Sequence, residues 1–233
     1  MKTIGIIGGM GPLATADLFQ KIIMLTDAGC DNDHIHIVID NNTEIPDRTD
    51  CILHGGRSPV KYLVQSAVKL QCMGADALVM PCNTAHYFYD EITKFIDIPL
   101  ISMIEETAKE VARLSGPDSK TGLLGTEGTC RAGVYDKVFQ KYHLDLLKPS
   151  EADQKYVTEL IYGIKAGRED LNTADILRVM DHLRQQGAKT FILGCTELPV
   201  AFQTLSIGGS YIDPTRVLAR AAVRFAGAKY KEE

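Results

Sequence analysis

The sequence predicts an α/β protein made of two similar Rossmann-like lobes, each a parallel sheet flanked by helices. Short apolar runs alternate with helical patterns of ten or more residues along the 233-residue chain, and this alternation is typical of parallel sheets. The composition fits a globular protein, with 45% hydrophobic and 24% charged residues. An internal repeat is the third observation, and it predicts that pseudo-twofold symmetry relates the two lobes.

The first half contains three short apolar runs that predict strands, followed by helices wherever apolar residues recur every three or four positions. The strands are predicted at Ile4–Gly8, His34–Asp40 and Ala77–Met80. The helices are predicted at Pro12–Leu25, Pro59–Met73, Thr84–Phe95 and Glu105–Leu114, the last ending near Gly116 and Pro117.

The second half repeats this alternation. Strands are predicted at Thr121–Leu124, Leu144–Lys148 and Thr190–Leu193, and helices at Gly133–Tyr142, Asp153–Ala166, Thr173–Gln186 and Pro214–Ala226. We expect residues 1–100 and 213–233 to form the N-terminal lobe and residues 101–212 to form the C-terminal lobe. The active site is expected in the cleft between them.

Charge and cysteine usage exclude several classes of protein. The net charge of −5 argues against a nucleic-acid partner. No apolar run reaches the roughly 18 residues of a membrane helix, and Met1-Lys2 leads straight into a strand-like run without a signal-peptide pattern. Six scattered cysteines without a Cys-x-x-Cys pair predict free thiols and a cytoplasmic protein.

The internal repeat brings two cysteines into equivalent positions. A Gly-Ala pair, a short strand and a cysteine follow one another in both halves, and each cysteine stands eight residues after its glycine. The first copy runs from Gly74 to Cys82, and the second runs from Gly187 to Cys195. The opening glycines also recur after a strand, as Gly5, Gly8 and Gly11 in the first half and Gly122, Gly125 and Gly128 in the second.

Each of these two cysteines follows a strand and precedes a helix, where open α/β sheets bind ligands. The helix amides that follow, from Asn83 and Thr196 onward, favour the thiolate form and bind anions. Two thiols on opposite sides of one carbon suit racemisation, since one thiolate removes a proton from one face while the other thiol returns one to the opposite face. Donors on the α-carboxylate, such as Asn83, Thr84 and Thr196, would stabilise the carbanion.

Four segments together resemble the cofactor-independent aspartate/glutamate racemase superfamily, and in particular its aspartate racemases. They are Ile4–Gly11, Ile45–Thr49, Pro81–His86 and Gly194–Pro199. The resemblance spans nearly the whole chain, and it implies two Rossmann-like lobes, a homodimer, an amino-acid substrate and no cofactor.

The same resemblance implies roles for individual residues. Cys82 and Cys195 are the acid/base thiols. The other residues that match the family's motifs bind the substrate. Among them, Arg48 and Lys165 lie in predicted loops and would bind the side-chain carboxylate. Glu197 stands where glutamate racemases usually carry histidine, which favours the aspartate branch. The substrate-binding residues expected at this stage are Met10, Arg48, Asn83, Thr84, Ala85, Lys165, Thr196 and Glu197.

Several alternatives remain open at this stage. Gly9–Ala14 matches a dinucleotide-binding loop, and Asp40 closes the second strand, although it lies further along the chain than that fingerprint requires. A zinc site at Cys82 and His86 lacks the usual ligand spacing. A non-catalytic amino-acid-binding protein would share the scaffold. A related enzyme acting on arylmalonate, hydantoin or maleate is the last alternative, and Arg48 and Lys165 favour a dicarboxylate such as maleate among these.

Overall fold

A computed structural model describes residues 1–114, 119–168 and 170–231, in which the strands form two four-stranded parallel sheets. The predicted α/β fold is confirmed. The chain divides into two compact units, Met1–Glu106 with Thr215–Glu233, and Thr107–Pro214. Gly116 and Pro117, near which a helix was expected to end, lie outside the described residues.

The first unit contains a sheet of strand order β2-β1-β3-β4. These strands are β1 (Ile4–Gly8), β2 (Ile37–Asn41), β3 (Ala77–Val79) and β4 (Leu100–Ile101). The accompanying helices are α1 (Pro12–Leu25), α2 (Arg48–His54), α3 (Val60–Cys72) and α4 (Tyr89–Thr93), with short 3₁₀ helices at Asp31–Asp33 and Thr84–Phe88. The chain passes into the second unit within α5 (Met103–Leu114).

The second unit contains a sheet of strand order β6-β5-β7-β8. Its strands are β5 (Lys120–Gly125), β6 (Asp145–Leu147), β7 (Ala188–Gly194) and β8 (Tyr211–Ile212). Its helices are α6 (Glu127–Arg131), α7 (Asp136–Lys141), α8 (Glu151–Lys165), α9 (Thr173–Gln185) and α10 (Glu197–Thr204). The helix α11 (Pro214–Ala226) returns the chain to the first unit and contributes Leu218 and Val223 to the core around β1 and β3.

The strand register shows that the two units repeat one another in detail. Gly5 of β1 pairs with Leu78 of β3, and Gly122 of β5 pairs with Phe191 of β7. A Cβ atom at either glycine would lie 2.6 Å from the side chain of its paired residue. Glycine is therefore required at both positions because the neighbouring strand's side chain occupies the space beside its Cα atom.

Most predicted elements are present, but short ones were missed or misread. The two-residue strands β4 and β8 and the helices α2 and α6 were not predicted, because two residues show no alternation and a helix of five to seven residues shows fewer than two full turns of periodicity. The region expected as one helix over Gly133–Tyr142 becomes helical only at α7, after a turn that includes Gly133 at a positive φ of 63°. Thr84–Phe95 is a 3₁₀ helix followed by α4 rather than a single α-helix.

Within residues 1–114, 119–168 and 170–231, no helix is both long and apolar enough to cross a bilayer.

Candidate functional site

The first group of expected site residues lies at one edge of the first unit's sheet. Met10 follows β1, Arg48 follows β2, and Cys82 follows β3. The carboxyl ends of parallel strands meet at the same edge, which is where open α/β sheets bind ligands. Met10 and Cys82 are both buried and belong to the same apolar cluster.

Arg48 joins two of these loops directly. Its Nη2 donates to the Met10 carbonyl at 3.4 Å, and its Nη1 donates to the Pro46 carbonyl at 3.1 Å. The loop predicted for Arg48 is wrong, because Arg48 is the first residue of α2. The Asp47 side chain caps that helix by accepting from the amide of Asp50 at 2.8 Å, which stabilises the helix start that carries Arg48.

The Cys82 turn, defined as residues 82–86, is buried throughout. Cys82 is 6% exposed, and Asn83, Thr84 and Ala85 are also buried. Their backbone leaves β3 through a tight turn in which the Cys82 amide donates to the Met80 carbonyl at 2.9 Å. It then enters the 3₁₀ helix Thr84–Phe88, so that polar Asn83 and Thr84 stand directly beside the cysteine in the chain.

His86 completes this turn with both of its ring nitrogens. Its Nδ1 lies 2.8 Å from the Cys82 carbonyl, and its Nε2 accepts a hydrogen bond from the Met103 amide at 3.0 Å. Burial lowers the pKa of His86 to about 4, against a weaker opposing effect of the hydrogen bond to Cys82. The imidazole is therefore neutral at physiological pH.

The second group of site residues lies at the carboxyl end of β7 in the second unit. Cys195 follows β7 immediately, Thr196 is the N-cap residue of α10, and Glu197 is its first residue. The Cys195 thiol donates to Glu197 Oε2 at 2.9 Å, and the Thr196 hydroxyl donates to the same oxygen at 3.1 Å. One carboxylate thus contacts both the cysteine and its polar neighbour.

Lys165 reaches this group from another helix. Its Nζ lies 3.8 Å from Glu197 Oε1, and its side chain is 29% exposed. The loop predicted for Lys165 is wrong, because it is the last residue of α8. A cation beside Glu197 offsets part of the negative charge that the carboxylate would otherwise place next to the Cys195 thiol.

A zinc site at Cys82 and His86 does not fit the geometry. The two residues do not share a helix, since Cys82 precedes the 3₁₀ segment. Both nitrogens of His86 are engaged in hydrogen bonds, so neither is available to a metal. Across residues 1–114, 119–168 and 170–231, no group of three or more His, Cys, Asp or Glu side chains is arranged to hold a metal ion.

Other residues of the chain fill the space beside the loop after β1. Gly9 has a positive φ of 94°, and a Cβ atom there would lie 2.2 Å from the Asn42 carbonyl oxygen. The Gly9 amide donates to the Thr15 hydroxyl at 2.9 Å. Asp40, the acid expected to bind a ribose, forms an ion pair with Lys69 at 3.0 Å. These contacts do not support the dinucleotide-binding interpretation.

Comparison with known proteins identifies the family. A sequence model described as Asp/Glu/hydantoin racemase matches residues 7–222. The chain belongs to the Asp/Glu/hydantoin racemase family. This membership confirms the resemblance found in the sequence, makes the chain a member of an isomerase family that acts on small amino-acid substrates, and leaves the oxidoreductase alternative unsupported.

Individual relatives of this racemase-family chain agree with that assignment. The chain is 30% identical, over 94% of its length and 96% of the relative, to a Bacillus subtilis protein named broad specificity amino-acid racemase RacX. It is also 30% identical to a glutamate racemase from Desulforudis audaxviator, over 64% of the chain and only 55% of that relative. Among solved structures, Picrophilus torridus aspartate racemase is 32% identical, with a TM-score of 0.86 over 99% of this chain and 96% of that one.

Two contacts within these groups of the racemase-family chain were not predicted from the sequence. The spacing of Cys82 and His86 suggested either a zinc ligand or a residue on the helix surface or behind the site, whereas the ring holds the Cys82 turn. The second contact is the hydrogen bond between Cys195 and Glu197, a position for which the sequence left open whether the side chain assists the thiol. The signal for the first was present, because His86 stands four residues after Cys82, within reach of the Cys82 carbonyl in a helical turn.

Proposed function

We propose that this chain interconverts L- and D-aspartate, or glutamate, by a two-base mechanism that uses Cys82 and Cys195 and needs no cofactor. One observation carries the proposal. Cys82 stands four residues after Leu78, the partner of Gly5, and Cys195 stands four residues after Phe191, the partner of Gly122. Racemisation requires that a proton be removed from one face of the α-carbon and returned to the other. Two thiols at equivalent positions of repeated units suit these two proton transfers.

The proposed reaction begins when one cysteine thiolate removes the α-proton. The C–H bond breaks, an S–H bond forms, and the electron pair is delocalised onto the α-carboxylate. The other cysteine then donates its thiol proton to the opposite face of the same carbon and becomes the thiolate. The reverse reaction exchanges the two roles, so each thiol acts as acid in one direction and as base in the other.

The remaining residues of the two groups bind and orient the substrate in this proposal. Side chains of Asn83, Thr84 and Thr196, with the backbone amides of Ala85 and Glu197, hold the α-carboxylate and stabilise the charge that develops on it. Met10 lines the loop after β1. Arg48 and Lys165 bind the side-chain carboxylate, since a guanidinium and an ammonium are the groups suited to it.

We assign Glu197 an influence on the protonation of Cys195. The hydrogen bond from the thiol to Glu197 Oε2 requires the proton to be on sulfur. A carboxylate beside the thiol also opposes the thiolate by like-charge repulsion. Cys195 therefore serves as the acid, and Cys82 as the base, when the resting enzyme first meets substrate. Lys165 moderates this bias so that Cys195 can still act as base in the opposite direction.

Incubation with L-aspartate in D₂O tests this function. We expect the α-hydrogen signal to disappear from the proton NMR spectrum while chiral chromatography shows D-aspartate forming. Parallel incubations with glutamate, alanine and maleate define the substrate. Saturable binding of aspartate without hydrogen exchange would instead indicate a binding protein, and conversion of maleate alone would indicate a dicarboxylate isomerase.

We also propose that the chain forms a homodimer in the cytoplasm. The exposed side of α1 carries apolar side chains at Leu13, Phe19, Ile23 and Met24, which favours self-association. The six cysteines are all free thiols, in keeping with a reducing compartment. Light scattering on the wild type and on Phe19→Ser tests the dimer: a dimer mass that falls in the variant supports it, and a monomer in both contradicts it.

A further inference from the structure

His86 contacts the backbone of Cys82, which lies outside the strand pairing of the sheet. Cys195 follows β7 directly, so the strand pairing of Gly194 with Gly125 fixes its position. Cys82 is separated from the end of β3 by Met80 and Pro81, and the chain there makes a tight turn. The position of the Cys82 thiol therefore depends on contacts outside the strand ladder.

The two hydrogen bonds of His86 define its protonation. The Met103 amide donates to Nε2 at 3.0 Å, so Nε2 must carry a lone pair. The proton of the neutral ring is then on Nδ1, which donates to the Cys82 carbonyl at 2.8 Å. Met103 is the first residue of α5, where helix amides have no partner within the helix.

We infer that His86 is a positioning residue, which in its neutral Nδ1–H tautomer ties the Cys82 carbonyl to the first amide of α5. The inference rests on the proposed function for its effect on turnover. The imidazole neither touches substrate nor carries a proton in the reaction, because both nitrogens are occupied by these bonds. Its pKa of about 4 keeps the ring neutral, and the pair of bonds intact, throughout the neutral pH range.

Nitrogen NMR of the wild-type protein tests the tautomer without any activity measurement. In protein labelled with ¹⁵N-histidine, we expect the His86 signals to show a protonated Nδ1 and an unprotonated Nε2 that do not titrate between about pH 5.5 and 8.5. The signals that disappear in His86→Asn assign the residue. A protonated Nε2, or titration within this range, would overturn the inference even if the enzyme racemises aspartate.

Two variants separate the two hydrogen bonds. His86→Asn places an amide where Nδ1 lies and can still donate to the Cys82 carbonyl, whereas His86→Gln places its amide nearer Nε2 and loses that donor. We expect kcat to fall on the order of 10²-fold in His86→Gln, with a smaller loss in His86→Asn and little change in KM, because misplacing a reacting group by about 1 Å costs about that much. The same two substitutions at the exposed His36 are controls and should leave kcat unchanged.

Alkylation by iodoacetamide, followed by mass spectrometry, provides a readout that does not depend on the reaction. The rate at Cys82 should change in His86→Gln, while the rate at Cys195 in the same molecules stays constant. Equal losses of kcat in both variants with an unchanged Cys82 alkylation rate would show that His86 only supports the fold. If wild-type protein fails to racemise any amino acid, the proposed function fails, and the NMR and alkylation results still decide the role of His86.

Discussion

The Cys82 turn and the Cys195 turn, which comprises residues 195–197, occupy equivalent positions in two repeated units, yet their surroundings differ. The Cys82 turn is held by a buried, neutral imidazole that bonds to the cysteine's own carbonyl. The Cys195 turn follows a strand without interruption, and a carboxylate, itself close to Lys165, accepts from the thiol. The repeat therefore places the two cysteines at equivalent positions in the chain, while non-equivalent neighbours hold the Cys82 backbone and set the charge beside the Cys195 thiol.

This difference separates two properties that a two-base enzyme needs. In the proposed mechanism the two thiols serve opposite faces of one carbon, and different electrostatic surroundings allow one to be protonated while the other is not. In a strictly symmetrical pair, neither thiol would be favoured over the other as the acid. The different contributions of His86 and Glu197 to the two cysteines can be tested by replacing one of these side chains at a time.

The largest expected effect comes from the two thiols themselves. Cys82→Ser and Cys195→Ser should each lower racemisation by at least about 10³-fold, because a serine hydroxyl is a far weaker acid and base than a thiol. Each variant should still exchange the α-hydrogen of one enantiomer in D₂O, and the two variants should exchange opposite enantiomers. NMR with chiral analysis measures both properties.

Cys130→Ser is the matched control for these substitutions. Cys130 is also buried, and burial raises its pKa to about 12, so it remains a neutral thiol. Its replacement should leave racemisation intact. Near wild-type activity in either Cys82→Ser or Cys195→Ser would contradict the two-base mechanism.

Removing the positive charge of Arg48 or Lys165 should lower activity more for charged substrates than for uncharged ones. Arg48→Ala and Lys165→Ala should each lower kcat/KM for aspartate by about 1.5–3 kcal/mol, the contribution of a hydrogen bond to a charged group. Alanine, if it is a substrate, should lose far less. Steady-state kinetics on both amino acids make the comparison, and equal losses would assign Arg48 to the loops that it joins through Met10 and Pro46.

The buried imidazole of His86 should make the free energy of unfolding depend on pH. The unfolded chain protonates His86 near its ordinary pKa of 6.5, whereas burial lowers the pKa in the folded chain to about 4. As pH falls through this interval the unfolded state binds the extra proton, so the free energy of unfolding should fall by roughly 3 kcal/mol.

Urea unfolding between pH 7 and 4 measures this dependence. His86→Asn lacks the titrating ring and should lose that part of the pH dependence, although it is less stable at pH 7. The exposed-site variant His36→Asn should retain it, because His86 is unchanged there. Identical pH dependence in the wild type and His86→Asn would show that His86 is not buried in its neutral form.

Glu197→Gln should alter the pH profile more than the maximal rate. A bell-shaped profile of kcat/KM is expected, since one thiol must be protonated and the other not, and its limbs belong to the coupled pair. Removing the carboxylate removes the repulsion against a Cys195 thiolate, so the alkaline limb should move to lower pH. An unshifted limb would show that Glu197 does not influence Cys195.

Treatments that would remove a metal ion or pyridoxal phosphate should have the smallest effect on activity. Activity should survive dialysis against EDTA and treatment with hydroxylamine, because the proposed steps use protein groups alone. It should require a reducing agent, since two reactive thiols are open to oxidation. Loss of activity with EDTA that zinc restores would overturn the mechanism.

Much of the fold could be predicted because its signals are local. Helices such as α1 and α11 carry their periodicity and an opening proline, and their predicted bounds agree with the structure. The repeat of glycine and cysteine spacings indicated two similar units before any strand pairing was known. The cysteine roles remain predictions, since sequence and structure provide their positions and not their chemistry.

The sequence by itself determined the α/β class, the repeat and the racemase family, since these depend on periodicity and on residues close together in the chain. The tertiary structure alone decided what surrounds each cysteine. Lys165 stands 3.8 Å from Glu197 although 31 positions separate them, and His86 bonds to Met103 across 16 intervening residues. Such contacts depend on how helices pack against strands, and packing distances cannot be read from spacing along the chain.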